Sequence, residues 1–237
     1  KGGGMRKSLL MFGFLLVLGL SSFGQHFYAF YYDVSGSQDV SVNLLNTMGG
    51  DTGYVLKVYD AWGNLLWSKI GDLTGYEADY YVLSDYVPSQ DTSWGVVTVE
   101  SDNLLIIGLE YMADGTVVSI DTISQEVPEL DPGVSYWLGA YYTQAGDVTT
   151  GVIVMNPWEV AVSVAVSIYG PAGNTLYKMD VALDPHESEF IDLEAVVGRG
   201  GLIWGLVDVL MRDLPVVLAL EYYGEVLDVK NITEYYY

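Results

Sequence analysis

Tyr54-Val55-Leu56-Lys57-Val58-Tyr59-Asp60-Ala61-Trp62-Gly63-Asn64-Leu65-Leu66-Trp67 has a copy 110 residues further along, running from Val164 to Tyr177. Each copy reads as strand, four-residue turn, strand. Tyr59/Tyr169, Gly63/Gly173, Asn64/Asn174 and Leu66/Leu176 are retained, and the turn is Asp-Ala-Trp-Gly in one copy and Gly-Pro-Ala-Gly in the other. A type I turn takes Asp first and Pro second, and a left-handed fourth residue asks for Gly because a Cβ would clash. The retained positions are those that fix the register of a hairpin, so the chain is built twice.

Working outward from the hairpin, residues 31–111 align with 141–222 with one extra residue near Met211, giving 21 identities over 81 positions. Short strands separated by turn signals, with no long 3.6-residue periodicity, predict an all-β fold of two tandem antiparallel sandwich domains arising from internal duplication. Strands are expected at 26–34 and 38–46, with counterparts at 136–142 and 148–156. The polar strands 77–83 and 187–193 each lead into a short stretch, 84–87 and 194–197, that reads as one helical turn crossing between sheets. Then follow 94–100 with 104–112 and 204–210 with 215–223, and a last short strand in each copy, 116–121 and 225–229. Residues 124–133 carry two prolines and three acids and little to bury, which places the linker between a first domain at 25–123 and a second at 134–231. Residues 232–237 form an aromatic tail.

Alternation sorts the faces. In Val160-Ala161-Val162-Ser163-Val164-Ala165-Val166-Ser167-Ile168 every second residue is branched and apolar, so the reading buries all five as the anchor of the second domain. Val97, Val99, Leu105, Ile107, Leu109 and Tyr111, with their copies, share the core phase. Trp94, Glu110, Trp204 and Glu221 fall on the opposite, outer face. If Ser101-Asp102-Asn103 closes a hairpin, Trp94 stands directly opposite Glu110, and Trp204 likewise opposite Glu221.

Composition narrows the function. Residues 5–24 have a basic start at Arg6-Lys7, an apolar run from Leu9 to Leu20 and a small-residue end, the layout of a secretory signal peptide within a 1–24 leader. The run is too short to span a bilayer, and no later segment is a better candidate, so no transmembrane segment is expected after cleavage. The remaining chain has six basic residues against 31 acidic ones. Such a surface repels nucleic acid and anionic lipid. With no cysteine, disulfides, thiolate metal sites and a thiol nucleophile are excluded together.

Catalytic chemistry finds little to use. His26 and His186 lack a ligand-spaced partner histidine, and Asp184-Pro185-His186-Glu187-Ser188 reads as a turn rather than a triad, since its copy Thr74-Gly75-Tyr76-Glu77-Ala78 has neither His nor Ser. Asp51, Asp60, Asp114 and Asp147 read as solvated turn formers rather than calcium ligands. No catalytic residue, metal or cofactor is expected. The candidate ligand-binding residues are four tryptophans and two glutamates: Trp62 at the hairpin tip, Trp158 in Asn156-Pro157-Trp158-Glu159, and the outer-face Trp94, Glu110, Trp204 and Glu221.

The tandem arrangement, the alternating strands, the second strand ending in Asn46 or Asn156 and the turn-Gly hairpin resemble the immunoglobulin-like or fibronectin-type sandwiches of secreted bacterial surface proteins. That resemblance implies a non-enzymatic structural or interaction protein outside the cytoplasm, periplasmic, cell-surface or secreted, with envelope proteins or glycans as partners. A carbohydrate-binding module using the outer-face Trp and Glu residues is the alternative. An outer-membrane β-barrel is a further one, opposed by stretches such as 216–220 that are apolar in both phases.

Overall fold

The computed structural model describes residues 26–88, 93–129, 131, 133–144, 147–198, 203–223 and 227–236; the expected signal peptide at 5–24 lies outside them. Repeat 1 supplies β1 (His26–Asp33), β2 (Gln38–Asn46), β3 (Thr52–Asp60), β4 (Leu65–Leu73), β5 (Ala78–Val82), β6 (Trp94–Ser101), β7 (Leu105–Ala113) and β8 (Thr116–Ile123). Repeat 2 supplies β9 (Tyr136–Gln144), β10 (Thr149–Met155), β11 (Val162–Tyr169), β12 (Thr175–Leu183), β13 (Ser188–Asp192), β14 (Ile203–Met211), β15 (Val217–Tyr223) and β16 (Asp228–Ile232), followed by β17 (Tyr235–Tyr236). A 3-10 turn at Leu83–Asp85 and the short helix α1 at Leu193–Val197 occupy the expected crossover positions.

These strands form four open antiparallel sheets, ordered β1-β6-β3-β4 and β5-β2-β7-β8 in repeat 1, and β12-β11-β14-β9-β17 and β13-β10-β15-β16 in repeat 2. Each repeat is thus a sandwich with free sheet edges, which the barrel reading does not allow. Tyr28, Phe30, Tyr32, Val97 and Val99 face Val42, Leu44, Ile107 and Leu109 across the first core, all buried. Val207, Val209, Leu138 and Val164 face Val152, Val154, Leu218 and Leu220 across the second.

One sequence expectation fails at once. β6 pairs with β1 and β3, whereas β7 pairs with β2 and β8, so residues 101–104 cross between sheets instead of closing a hairpin. Trp94 lies opposite Asp33, and Glu110 opposite Ser41 and Ile120; in repeat 2 Trp204 lies opposite Thr143, and Glu221 opposite Gly151 and Val229. A short polar link is as compatible with a crossover as with a turn, and the side chains' phases alone do not distinguish them. The valine strand is also shorter than expected. It begins at Val162, and Val160 is exposed in the loop before it, where its carbonyl accepts a hydrogen bond from Asn156.

What the duplication preserved is the internal wiring. Asn46 Nδ2 donates to the carbonyls of Gly50 and Thr74, and Asn156 Nδ2 to those of Val160 and Asp184; each Oδ1 accepts from the backbone N–H two residues on, at Met48 or Trp158. Tyr76 and His186 hold the same left-handed turn position, and Glu77 and Glu187 close that turn by accepting from Thr74 and Asp184. Both Tyr59 and Tyr169 sit at a register shift, where a Cβ on Gly95 or Gly205 of the neighbouring strand would come within 2.4 or 1.8 Å of the tyrosine carbonyl. Only glycine fits there, which accounts for its retention in both repeats.

The two sandwiches stack face to face, making four sheet layers. The outer face of β1-β6-β3 is pressed against the outer face of β10-β15, and Ile153, Met155, Val217 and Ala219 join the first core cluster. This explains why β1 and β15 are apolar in both phases: each is buried on both sides. Side chains fasten the edges. Asn231 accepts from the Tyr31 N–H and donates to Tyr111 Oη and Asp121, and Ser119 donates to Asp228. At the other end the hairpin turn of repeat 1 docks on repeat 2, Ser188 N–H donating to the Ala61 carbonyl at 2.9 Å. In the linker stretch, Val127 is buried and donates to the Phe27 carbonyl.

Candidate functional site

The face of each repeat that carries the repeated tryptophan, Trp94 or Trp204, has the same aromatic pattern. In repeat 1, Trp94 is opposite Asp33 and Tyr31 opposite Val96; in repeat 2, Trp204 is opposite Thr143 and Tyr141 opposite Leu206. Phe27 corresponds to Trp137. Strand alternation puts all of these on the outer side of their sheet, away from the sandwich core. We call this the front face, and the outer face carrying Glu110 or Glu221 the back face.

The fates of the two front faces differ. Repeat 2 covers the first, leaving Tyr31 2% and Val96 0% exposed, while Tyr141 is 57%, Leu206 44% and Trp204 41% exposed on the second. Trp137 is also exposed, and Tyr236 extends the patch because β17 pairs with β9 along the sheet edge. The aromatic tail therefore belongs to this sheet, fixed by Tyr235 Oη donating to the Val216 carbonyl. Beside the aromatics, Trp137, Lys178, Asp180 and Asp208 border a depression of about 370 Å³. Burial pushes the Asp208 carboxyl up, with Lys178 acting against it.

Among the described residues, cavities lie in the junction between sandwiches, and two of them bear on the candidate residues. The first, about 320 Å³, has Phe27, Lys57, Tyr59 and Glu100 on one side and Trp158 and His186 on the other. Asn156 and the Pro215 carbonyl hold Trp158, whose ring meets Phe27 at 4.9 Å between centroids. His186 stacks on Tyr59 at 3.8 Å, and its Nε2 lies 3.3 Å from Glu159 Oε2 without a well-directed hydrogen bond. Burial lowers the imidazole pKa, outweighing the opposing effect of Glu159, so the ring is neutral near pH 7. Lys57 lies 3.5 Å from Glu100 and 3.9 Å from Glu159. The aromatic walls and convergent polar groups are those of a small-molecule site, at the low end of the usual size.

The second cavity, about 260 Å³, brings Trp94 and Glu221 together across the junction, with Asp33, Tyr31, Tyr223 and Phe190. Glu221 is fully buried. Its Oε2 accepts from Tyr31 Oη at 3.3 Å and from Tyr223 Oη, while Oε1 has no hydrogen-bond partner. Burial pushes this carboxyl up to about 7; Asp33 adds to the rise, and the tyrosine hydrogen bonds oppose it. Asp33 is raised by burial as well.

The six sequence candidates thus separate. Trp94 and Glu221 share one cavity, Trp158 lines the other, and Trp204 lies on the open front face with Tyr141 at 6.3 Å. Glu110 accepts from Ser41 Oγ on the back of the first sandwich. Trp62 is exposed beside the docked hairpin turn, with its backbone bridged to Glu187. Sequence reasoning missed Tyr141, Trp137 and Leu206 as surface residues, although alignment with Tyr31, Phe27 and Val96 carried the signal that they form one set.

No protein-family model and no curated protein matches the chain. Solved structures similar to it include a glycosyl hydrolase family 2 member from Bacteroides cellulosilyticus (12% identity, 87% of this chain and 27% of that one, TM-score 0.18). A Bacteroides uniformis beta-glucuronidase (14%, 88% and 26%, 0.18) and a Bacteroides vulgatus beta-glycosidase (9%, 86% and 24%, 0.17) are others. The chain spans about a quarter of the length of these proteins, and at such TM-scores the likeness carries no argument about function.

Proposed function

We propose that the protein is a non-enzymatic structural or interaction module that works outside the cytoplasm, with the open front face of its second sandwich as the interaction surface. The observation that supports this is the unequal treatment of one repeated surface: the aromatic front face is covered in repeat 1 and uncovered in repeat 2. Contiguous exposed apolar surface of this kind costs solubility unless a partner covers it. The signal-peptide layout of residues 5–24, the acidic surface and the sandwich architecture support the extracytoplasmic address, and the linker at 124–133 divides two immunoglobulin-like units in the same reading.

The test is binding of the chain to envelope proteins and to glycans, compared with a Trp204→Ala/Tyr141→Ala variant. The variant should lose binding while its thermal melt stays unchanged. Binding indifferent to both substitutions, or a chain recovered from the cytoplasm with residues 5–24 intact, contradicts the proposal.

A second reading rests on the junction cavity under Trp158, whose size and aromatic walls suit the apolar face of a sugar ring with hydroxyls directed at Glu100 and His186. A glycan array, with Trp158→Ala as the control that should lose the signal, separates it from the first.

A further inference from the structure

Inside the chain, the front of one sandwich meets the back of the next. This contact is heterologous, because the two surfaces joined are different: Tyr31, Val96 and Trp94 on one side, Ile153, Ala219 and Glu221 on the other. Such a contact leaves one front and one back unused, here the front of repeat 2 and the back of repeat 1.

Both unused faces expose large apolar side chains. On the back of repeat 1 the register sets Tyr80 opposite Asn43 and Glu110 between Ser41 and Ile120, with Val117 opposite Met112. Tyr80, Val117 and Ile120 are exposed at 54, 45 and 65%. The strand alignment is residue for residue: Ser41 and Glu110 pair as Gly151 and Glu221 do on the buried back face of repeat 2. Each free face is therefore a copy of a surface that is already engaged inside the molecule.

We propose that the occupant of the open front face is the back face of another copy of this chain, so that copies stack head to tail, with Trp204 of one meeting Glu110 of the next. The proposal rests on the interaction-surface reading above and names its partner. A heterologous contact of this type does not close on itself unless its rotation completes a ring, so stacking extends as an open array. The surface Glu110 presents is more polar than its repeat 2 counterpart, with Ser41 and Asn43 where Gly151 and Ile153 stand, so the contact between chains is weaker and reversible where the internal one is permanent. Stacking also brings together chains of formal charge −22, and added salt strengthens it by screening that repulsion.

Sedimentation of the full chain tests this, using two single-face variants that retain the wild-type melt: Trp204→Ala/Tyr141→Ala blocks the front, and Glu110→Arg blocks the back. Ile120→Lys serves as a second back-face block. The wild type should show an average mass that climbs past twice that of one chain with concentration and salt, without a plateau. Each blocked variant alone should stay a single chain, and their equimolar mixture should give a dimer and nothing larger. A back-blocked variant that dimerises by itself would mean front-to-front pairing and overturn the proposal. So would a wild type that remains a single chain throughout; if that chain still binds an envelope protein or glycan through Trp204, the stacking falls while the interaction-surface reading stands.

Discussion

Repeat 1 and repeat 2 share their turns, their buried asparagines and their core valines, yet they differ in what lies against their outer faces. In repeat 1 the aromatic front is interior, and Trp94, Tyr31 and Phe27 pack on the second sandwich or on residues it contributes. In repeat 2 the corresponding Trp204, Tyr141 and Trp137 face solvent. The back faces are reversed: Glu110 is partly exposed and accepts from Ser41, whereas Glu221 is sealed in the junction with an unpartnered oxygen. Identical residue types therefore have different roles according to the layer beyond the sheet. Interior wiring records how each sandwich folds, and the outer faces record how sandwiches meet.

The largest effect expected is on the wiring, and it should be equal in the two repeats. Asn46→Ala and Asn156→Ala each remove at least three hydrogen bonds to part-buried backbone groups, two to carbonyls and one from an N–H, a loss of about 3–4 kcal/mol in each sandwich. Chemical denaturation of the two variants measures it, and a marked inequality would break the claim that the asparagine sites are equivalent.

Next in size is a difference that should appear only in repeat 2. Glu221 has its carboxyl raised from 4.5 to about 7, so the folded state holds a proton that the unfolded chain gives up at lower pH. The stability this proton supplies is fully present below pH 4.5 and is lost as pH rises through about 7, a change on the order of 3 kcal/mol. Tyr31 and Asp33 from β1 and Tyr223 on its own strand face the group, and Asp33, also raised, acts in the same direction. Glu221→Gln should flatten the dependence of the melt between about pH 4.5 and about pH 7, and Glu110→Gln should leave it unchanged. Equal pH profiles for wild type and Glu221→Gln would remove the sealed carboxyl from the account.

The smallest of these effects compares the two tryptophans. Trp94→Ala opens a hole in the junction and should cost about 2 kcal/mol, less than a fully enclosed tryptophan because Trp94 is only partly buried. Trp204→Ala should change stability by no more than about 0.5 kcal/mol. Calorimetry on dilute protein gives both values, and similar costs would mean that the second front face is not free.

Sequence periodicity reached the cores well, because Thr98 separates Val97 from Val99 and Gly108 separates Ile107 from Leu109, and each inner face is set locally by the pleat. It also found the repeated turns and crossovers, where glycine and asparagine have conformational reasons to persist. It failed where the answer depended on distant chain. The partner of β6 is β1, some 60 residues earlier in sequence by the spacing of Trp94 and Asp33, and no local pattern distinguishes that pairing from a hairpin with β7. The same limit applies to the outer faces. Trp94 and Trp204 are followed by closely similar residues, Gly95-Val96-Val97 and Gly205-Leu206-Val207, and only the stacking of sandwiches covers the first of these surfaces. The two-phase apolar stretches 27–32 and 216–220 are the local signs of that stacking, and alternation alone does not say which layer covers their outer phase.

Hydroxyl-radical footprinting of dilute protein, read residue by residue by mass spectrometry, tests the unequal burial of the repeated front face most directly. Tyr141 and Leu206 should be oxidised several-fold faster than Tyr31 and Val96, and Trp204 and Trp137 faster than the partly buried Trp94 and Phe27, once each value is corrected for the intrinsic reactivity of its side chain. Equal labelling of the two sets in dilute protein would contradict the account, because it would mean that the two front faces are covered to the same extent.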